Sequence, residues 1–283
     1  MILFKKEIDL QTWLAGQEKK GKKAGFVPTM GALHEGHLSL LARAQQENDI
    51  SVCSIFVNPT QFNDPADYEK YPVTIEQDIR LLESRHCDVL FLPGVQDIYP
   101  DGTELRPHYD LGYLETTLEG RYRPGHFQGV CAVVHRLLDI VQPDHLYIGQ
   151  KDYQQCMVIA RLLELTGMDS RIGIRISPTM RETDGLAMSS RNARLDAAER
   201  KAAPAIYRSL SLIRDRLQLG DLQGLKQAAA GLLVQEGFRP DYVEIADAKT
   251  LEPVVHWDGQ QQLVALAAAL IGQVRLIDNI LLN

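Results

Sequence analysis

The chain has no Cys-x-x-Cys pair. Its four cysteines, Cys53, Cys87, Cys131 and Cys156, are far apart, and each sits in or beside an apolar stretch. That spacing excludes a zinc ribbon and points to buried thiols in a reducing compartment. No apolar run approaches the ~20 residues of a membrane span. Met1–Leu14 is interrupted by Lys5, Lys6, Glu7 and Asp9, so no signal peptide is expected and a cytoplasmic location is. Positive charge is not in excess: 30 Lys and Arg stand against 37 Asp and Glu, for a formal net charge of −7. This argues against nucleic acid or an anionic membrane as the main partner, while leaving room for a local basic pocket. The Walker loop, the Gly-x-Gly-x-x-Gly fingerprint and the His-Glu-x-x-His zinc helix are all missing, as are repeats and low-complexity tracts.

What is present is an ordinary globular composition, 45% hydrophobic and 24% charged over 283 residues. That is enough for one large or two modest domains with a core that needs no disulfide or metal. The first two thirds alternate. Ala24–Pro28 reads as a short buried strand, Gly36–Glu47 as a helix, and Ile50–Val57 as a nearly all-apolar strand, which together make a β-α-β unit of a parallel sheet covered on both faces. Ile75–Arg85 (helix), Asp88–Pro93 (strand), the helical repeat Val130, Val133, Val134, Leu137, Leu138, Val141, His145–Ile148 (strand), Tyr153–Leu165 (helix) and Arg171–Ile176 (strand) continue it. The expectation is a doubly wound, Rossmann-like α/β domain over residues 1–177, with ligands at the carboxyl ends of the strands. Residues 178–283 read as a smaller α+β lid domain. It has a long helix Asp196–Leu219, a second helix Leu222–Glu236 stopped by Gly237, and strands at Tyr242–Ala246, Gln262–Ala268 and Val274–Ile277.

The strongest signal is Pro28-Thr-Met-Gly-Ala-Leu-His-Glu-Gly-His37, which ends a strand and opens a helix. Backbone N–H groups and the helix dipole favour an anion there. Gly31 and Gly36 let backbone approach a phosphate closely. His34 and His37, three residues apart, fall on one helical face and can donate to phosphate oxygens. The turn Gly149-Gln-Lys-Asp152 follows another strand and offers Lys151 to a charged group. Ser189-Ser190-Arg191 offers two hydroxyls and a guanidinium suited to phosphates.

The histidine pair flanking Gly36 is similar to the nucleotidylyl-transferase superfamily signature, and the longer string resembles the pantothenate synthetase family. Ser54-Ile-Phe-Val-Asn-Pro-Thr-Gln-Phe-Asn63, Arg123-Pro-Gly-His-Phe127, Gly149-Gln-Lys-Asp-Tyr-Gln-Gln155, Met188-Ser-Ser-Arg-Asn192 and Arg275-Leu-Ile-Asp-Asn279 agree. Gln150 departs from the Glu common in the family. The resemblance implies ATP-dependent condensation of pantoate with β-alanine through pantoyl adenylate, releasing pyrophosphate and AMP. It implies catalytic roles for His34, His37, Lys151 and Arg191. It implies ATP contacts from Met30, Gly31, His34, His37, Gly149, Lys151, Asp152, Met180, Met188, Ser189, Ser190 and Arg191. Gln61 and Gln155 become the expected pantoate ligands. Arg123 is placed near the phosphates or the lid, or else in an interdomain ion pair. Mg²⁺ is expected with the ATP, held mainly by phosphate oxygens and water, with Asp78 as its candidate carboxylate. A homodimer is expected, with apolar strands near residues 110–118 as candidate contributors. Two other readings stay open on the sequence: a different nucleotidylyl transferase sharing the histidine turn, and a non-catalytic nucleotide sensor. An adenylating enzyme acting on tRNA is disfavoured by the acidic balance.

Overall fold

The structure is a computed structural model that describes residues 1–104 and 107–283. Its contacts divide the chain into two units. One comprises Met1–Gly149 and Gln154–Pro178, the other Gln150–Tyr153 and Thr179–Asn283. The four residues Gln150–Tyr153 thus leave the first unit for the second, which a single cut after residue 177 does not foresee.

The first unit is built on six strands, β1 (Ile2–Phe4), β2 (Ala24–Thr29), β3 (Ile50–Ile55), β4 (Val89–Phe91), β5 (His145–Gly149) and β6 (Gly173–Ser177). They form one parallel sheet in the order β1-β4-β3-β2-β5-β6. Successive side chains of a strand point to opposite faces, and here both faces are buried. Phe26, Val52, Val89 and Leu146 belong to one apolar cluster with residues of the helices Glu7–Glu18, His126–Val141 and Tyr153–Thr166. Their neighbours Val27, Cys53, Leu90 and Tyr147 belong to another, with the helices Glu35–Glu47 and Ile75–Ser84. The order reverses beside β2: β3 and β4 lie on one side, β5 and β6 on the other. That switch point is where a doubly wound sheet opens a crevice at its carboxyl ends.

The second unit carries two short antiparallel strands, β7 (Gly220–Asp221) and β9 (His256–Trp257), and a three-stranded antiparallel sheet, β11-β10-β8. Its strands are β8 (Arg239–Asp247), β10 (Leu263–Ile271) and β11 (Val274–Leu281). The helices Ala205–Asp215 and Gln223–Gln235 bury Ile206, Leu210, Ile213, Ala229 and Leu233 in the same cluster as Ala265, Ala267 and Ala269. Gly237 closes the second of these helices at φ +84, a left-handed backbone that glycine adopts without strain.

The sequence reading departs from this fold in three places. The expected helix Asp196–Leu219 is two helices, Ala197–Ala202 and Ala205–Asp215. Pro204 between them has no N–H to continue the ladder, and its ring crowds the preceding turn. Asp196 does cap the first of them, accepting from Glu199 N at 2.8 Å. The strand β1 and the helix Glu7–Glu18 were missed. β1 is a three-residue edge strand, and Leu10 is the helix's one fully buried residue, so neither shows strong periodicity. Near residues 110–118, where apolar strands were expected, the chain forms a 3₁₀ turn at Gly112–Glu115 and begins a short helix, Leu118–Tyr122.

All four cysteines are buried and none is in a disulfide. Burial pushes the Cys87 thiol up to about 11, Cys131 up to about 12, and Cys53 well above its usual range. A small disulfide reagent at about pH 8 is therefore expected to label native protein far more slowly than urea-unfolded protein, because both thiolate and access are lacking. Rapid labelling of the native chain would contradict the burial.

Candidate active site

The turn leaving β2 is fixed by a buried carboxylate. Thr29 Oγ1 donates to Ser54 O (2.7 Å) and accepts from Gly31 N (3.2 Å), which holds the strand end. Gly31 (φ +81) and Ala32 (φ +48) then take left-handed backbone. Asp78, with no exposed surface, accepts from Ala32 N through Oδ2 (2.9 Å) and from Leu33 N through Oδ1 (2.8 Å). Thr74 Oγ1 donates to the same Oδ1 at 3.1 Å. A Cβ on Gly31 would stand 3.1 Å from Asp78 Oδ2 and from an Ile55 methyl, so the backbone passes where a side chain would crowd. Asp78 was expected as the candidate carboxylate for Mg²⁺. In this geometry its oxygens accept from backbone donors, and the Ile75–Ser84 helix that carries it holds the turn. Among the described residues no three His, Cys, Asp or Glu side chains converge as a metal cage would need.

The same turn sets the chemistry of the two histidines. His34 is the N-cap of the helix Glu35–Glu47, and its Nδ1 accepts from Gly36 N at 3.2 Å. His37 Nδ1 reaches back and accepts from His34 N at 3.3 Å. The ring centroids lie 4.0 Å apart. An Nδ1 that accepts a backbone N–H carries no proton, so the neutral ring of each histidine holds its proton on Nε2. The turn thereby presents two Nε2–H donors.

Gln61 lies in a 3₁₀ turn, Pro59–Gln61, capped by Asn58. Asn58, 1% exposed, donates from Nδ2 to Gln61 Oε1 (3.1 Å) and to Gly129 O (3.2 Å). Its own Oδ1 accepts from Tyr99 OH at 2.8 Å. Gln61 is thus held by its oxygen, and its Nε2 points at Met30 Sδ, 3.2 Å away. Arg123 Nη1 lies 3.1 Å from His126 Nε2, and His126 Nδ1 lies 2.8 Å from Gln61 O. A carbonyl only accepts, so Nδ1 is the donor and Nε2 accepts from the guanidinium. Arg123 reaches Gln61 through His126 and lies 3.8 Å from Glu119 of the same unit. Gly129 allows this packing, since a Cβ there would sit 2.2 Å from Thr60 O. Asn58, Tyr99 and His126, which surround Gln61, were not singled out from the sequence, although Asn58 and His126 stand inside motifs read there. Gln155 is half-buried in the first turn of Tyr153–Thr166. Its neighbour Gln154 is the buried one, bonding Leu114 O, Thr117 O and Glu119 N.

The remaining expected residues, apart from Gly149 at the end of β5, belong to the second unit. Lys151 and Asp152 form a 3₁₀ turn with Gln150. Met180 and Met188 are paired across a short hairpin, Met188 N to Met180 O at 2.9 Å, with Arg181 and Ala187 bridged beside them. Ser189 caps the following turn Ser190–Arg194, accepting from Arg191 N at 3.3 Å. The hairpin is clamped from two sides. Arg200 contacts Glu182 and Asp184 at 2.6 Å each. Arg181 pairs with Asp278 at 2.6 and 2.9 Å and stacks 4.0 Å from the Tyr207 ring centre. Burial pushes the Asp278 carboxyl up, while the Arg181 guanidinium and the Asn279 N–H pull it back.

The Asp78 geometry gives a stability prediction. Asp78→Ala would strand one buried and one partly buried N–H donor, at a cost of about 1–3 kcal/mol for the buried one and less for the other. Urea unfolding is expected to show a loss of about 2–4 kcal/mol, with Asp78→Asn intermediate because its amide accepts at one atom only. An unchanged midpoint in both variants would contradict the anchoring role.

Known proteins agree on what this chain is similar to. It matches the family model described as pantoate-beta-alanine ligase over residues 2–281. It is 45% identical over 276 residues to a pantothenate synthetase from Pseudomonas paraeruginosa, covering 96% of this chain and 95% of that one. The crystal structure of pantothenate synthetase from Thermus thermophilus superposes with a TM-score of 0.91 at 41% identity, covering 99% of both chains. That of the pantoate-beta-alanine ligase from Francisella tularensis, complexed with beta-gamma ATP and beta-alanine, gives 0.83 at 39% identity, covering 99% of this chain and 97% of that one. The chain belongs to the pantoate–β-alanine ligase family and is a ligase that joins these two substrates.

Proposed function

We propose that the two substrates are joined through pantoyl adenylate, with ATP as the activating co-substrate. A pantoate carboxylate oxygen bonds to the α-phosphorus of ATP, the bond from that phosphorus to the bridging oxygen breaks, and pyrophosphate leaves. The β-alanine amine, having lost a proton, then attacks the acyl carbon. The carbon–oxygen bond to AMP breaks, the nitrogen gives up a second proton, and pantothenate and AMP are released. The nucleotide complexed with the Francisella tularensis ligase supports the choice of ATP.

The observation that carries this assignment is the pair of Nδ1-accepting histidines at a helix N-terminus. Two Nε2–H donors beside a positive dipole end suit negative charge building on phosphate oxygens as pyrophosphate departs. We assign His34 and His37 to those oxygens as hydrogen-bond donors rather than acids. Lys151 is assigned to the α-phosphate, Asp152 to the ribose, and Ser189, Ser190 and Arg191 to the outer phosphates. Met30, Gly31, Gly149, Met180 and Met188 are further ATP contacts. The second unit acts as the lid that keeps water from the adenylate. Gln61, whose Nε2–H direction is set by Asn58, is assigned to pantoate together with Gln155. Mg²⁺ accompanies the nucleotide on its phosphate oxygens and water, and supplies charge neutralisation when bound. The family resemblance also supports a homodimer in the cytoplasm. Among the described residues, no helix is long and apolar enough to cross a membrane.

Pyrophosphate release from ATP and Mg²⁺, measured with D-pantoate and with or without β-alanine, tests the two steps. Release is expected to require pantoate, to continue past one turnover only with β-alanine, and to fall about 10²–10³-fold in His37→Ala and Lys151→Ala. Pantoate-independent release, or full activity in both variants, would reject the assignment.

A further inference from the structure

We infer that Asn279 is a positioning residue for Lys151, acting through the backbone of the turn that carries it. The inference rests on the assignment of Lys151 to the adenylation step. Asn279 lies on β11 and is 2% exposed. Its Nδ2 donates both hydrogens to consecutive carbonyls of the turn, Gln150 O at 2.9 Å and Lys151 O at 2.8 Å. Its Oδ1 accepts from Gln150 Nε2 at 3.3 Å. The side-chain amide is therefore engaged at both ends on one segment, Gln150 and Lys151.

The chemistry of that clamp is selective. Two carbonyls converging on one point need a group with two hydrogens on one atom, which a carboxamide nitrogen supplies and a carboxylate or hydroxyl does not. A turn of three residues makes few internal hydrogen bonds, so the direction in which Lys151 leaves the backbone depends on what holds its carbonyl. The strand that does so is itself fixed. β11 pairs with β10 over eight residues, Asn279 opposite Leu266. Its neighbour Asp278 holds Arg181 by two contacts, and Arg181 Nη2 also donates to Asn279 O at 3.2 Å. Adjacent residues of a strand point to opposite sides. One strand thus fastens the Lys151 turn with one side chain and the Met180–Met188 hairpin with the next. This accounts for Gln150–Tyr153 joining the second unit rather than the first.

A double-mutant cycle on the full chain tests this. Steady-state pantothenate formation at saturating substrates is measured for wild type, Asn279→Asp, Lys151→Ala and the double variant, with thermal melts to confirm folding. Asn279→Asp replaces two donors by a carboxylate facing two carbonyls and is expected to lower kcat about 10²-fold, the scale of a misplaced catalytic group. In the Lys151→Ala background the same change is expected to cost less than about 3-fold, because the group it positions is gone. The deficit of Asn279→Asp is also expected to narrow as pH falls, since protonation returns one donor. Asn279→Ala, which removes the donors without adding charge, is expected to show the loss without the narrowing, and serves as the readout if the aspartate variant does not fold. Equal losses in both Lys151 backgrounds would overturn the inference while leaving the adenylation assignment standing. Wild-type kcat in Lys151→Ala would overturn both.

Discussion

The turn after β2 contains backbone N–H groups that neither the strand nor the following helix can satisfy, and the groups that satisfy them set the geometry of the site. Asp78 takes two, and the Nδ1 atoms of His34 and His37 take two more. Each of these acceptors has a second consequence. A buried carboxylate with no exposed surface needs strong donors to remain there, and the turn's amides are those donors. An imidazole that accepts at Nδ1 has its tautomer fixed, so the polarity it presents at Nε2 follows from the fold. Left-handed Gly31 and Ala32 are the conformational cost of bringing the turn into this arrangement.

The same logic recurs in the second unit with different chemistry. There the groups in need of partners are carbonyls of a short turn and the guanidinium of Arg181, and two neighbours on β11 answer both. Placing these anchors on a strand suits their task. β11 is held by a continuous ladder to β10, whose residues Leu263–Ala269 are almost wholly buried, so it deforms less readily than a loop would. In this unit the residues proposed to meet the nucleotide, Lys151 and Ser189–Arg191 among them, stand on or beside short turns, whereas the anchors Asp278 and Asn279 stand on a strand.

How much of this could be read from the sequence divides along a physical line. The parallel sheet was legible because Ile50–Val57 is a nearly continuous apolar run and Val130–Val141 repeats at helical spacing, and the histidine turn because its residue types are rare in combination. The break at Pro204 was legible in principle, because a proline inside a helical stretch removes a donor, yet Asp196–Leu219 was read as one helix. Gln61 could be found, but not the Asn58–Tyr99 and His126–Gln61 contacts that fix its surroundings, because they join residues 41 and 65 positions apart. Asp78 shows the limit from the other side. Its carboxylate was read only as a candidate partner for Mg²⁺, and nothing in the sequence joins it to the amides 45 and 46 positions away that its oxygens accept from. Sequence names the donor and acceptor types; only the fold says which of them face each other.

That distinction bears on how an acidic chain handles a polyanion. A net charge of −7 offers no general attraction to ATP. Neutral donors do not depend on one. Two Nε2–H groups, a helix N-terminus and a set of oriented amides each interact with phosphate over short distances, where their alignment matters more than the field of the whole molecule. The amides of Gln61 and Gln155, proposed as the pantoate ligands, are neutral too, and hydrogen bonds from neutral groups quench a nucleophile's charge less than a cation in direct contact would. The full positive charges assigned to the reaction, Lys151 and Arg191, lie on segments of the second unit that are themselves braced by buried ion pairs and amides.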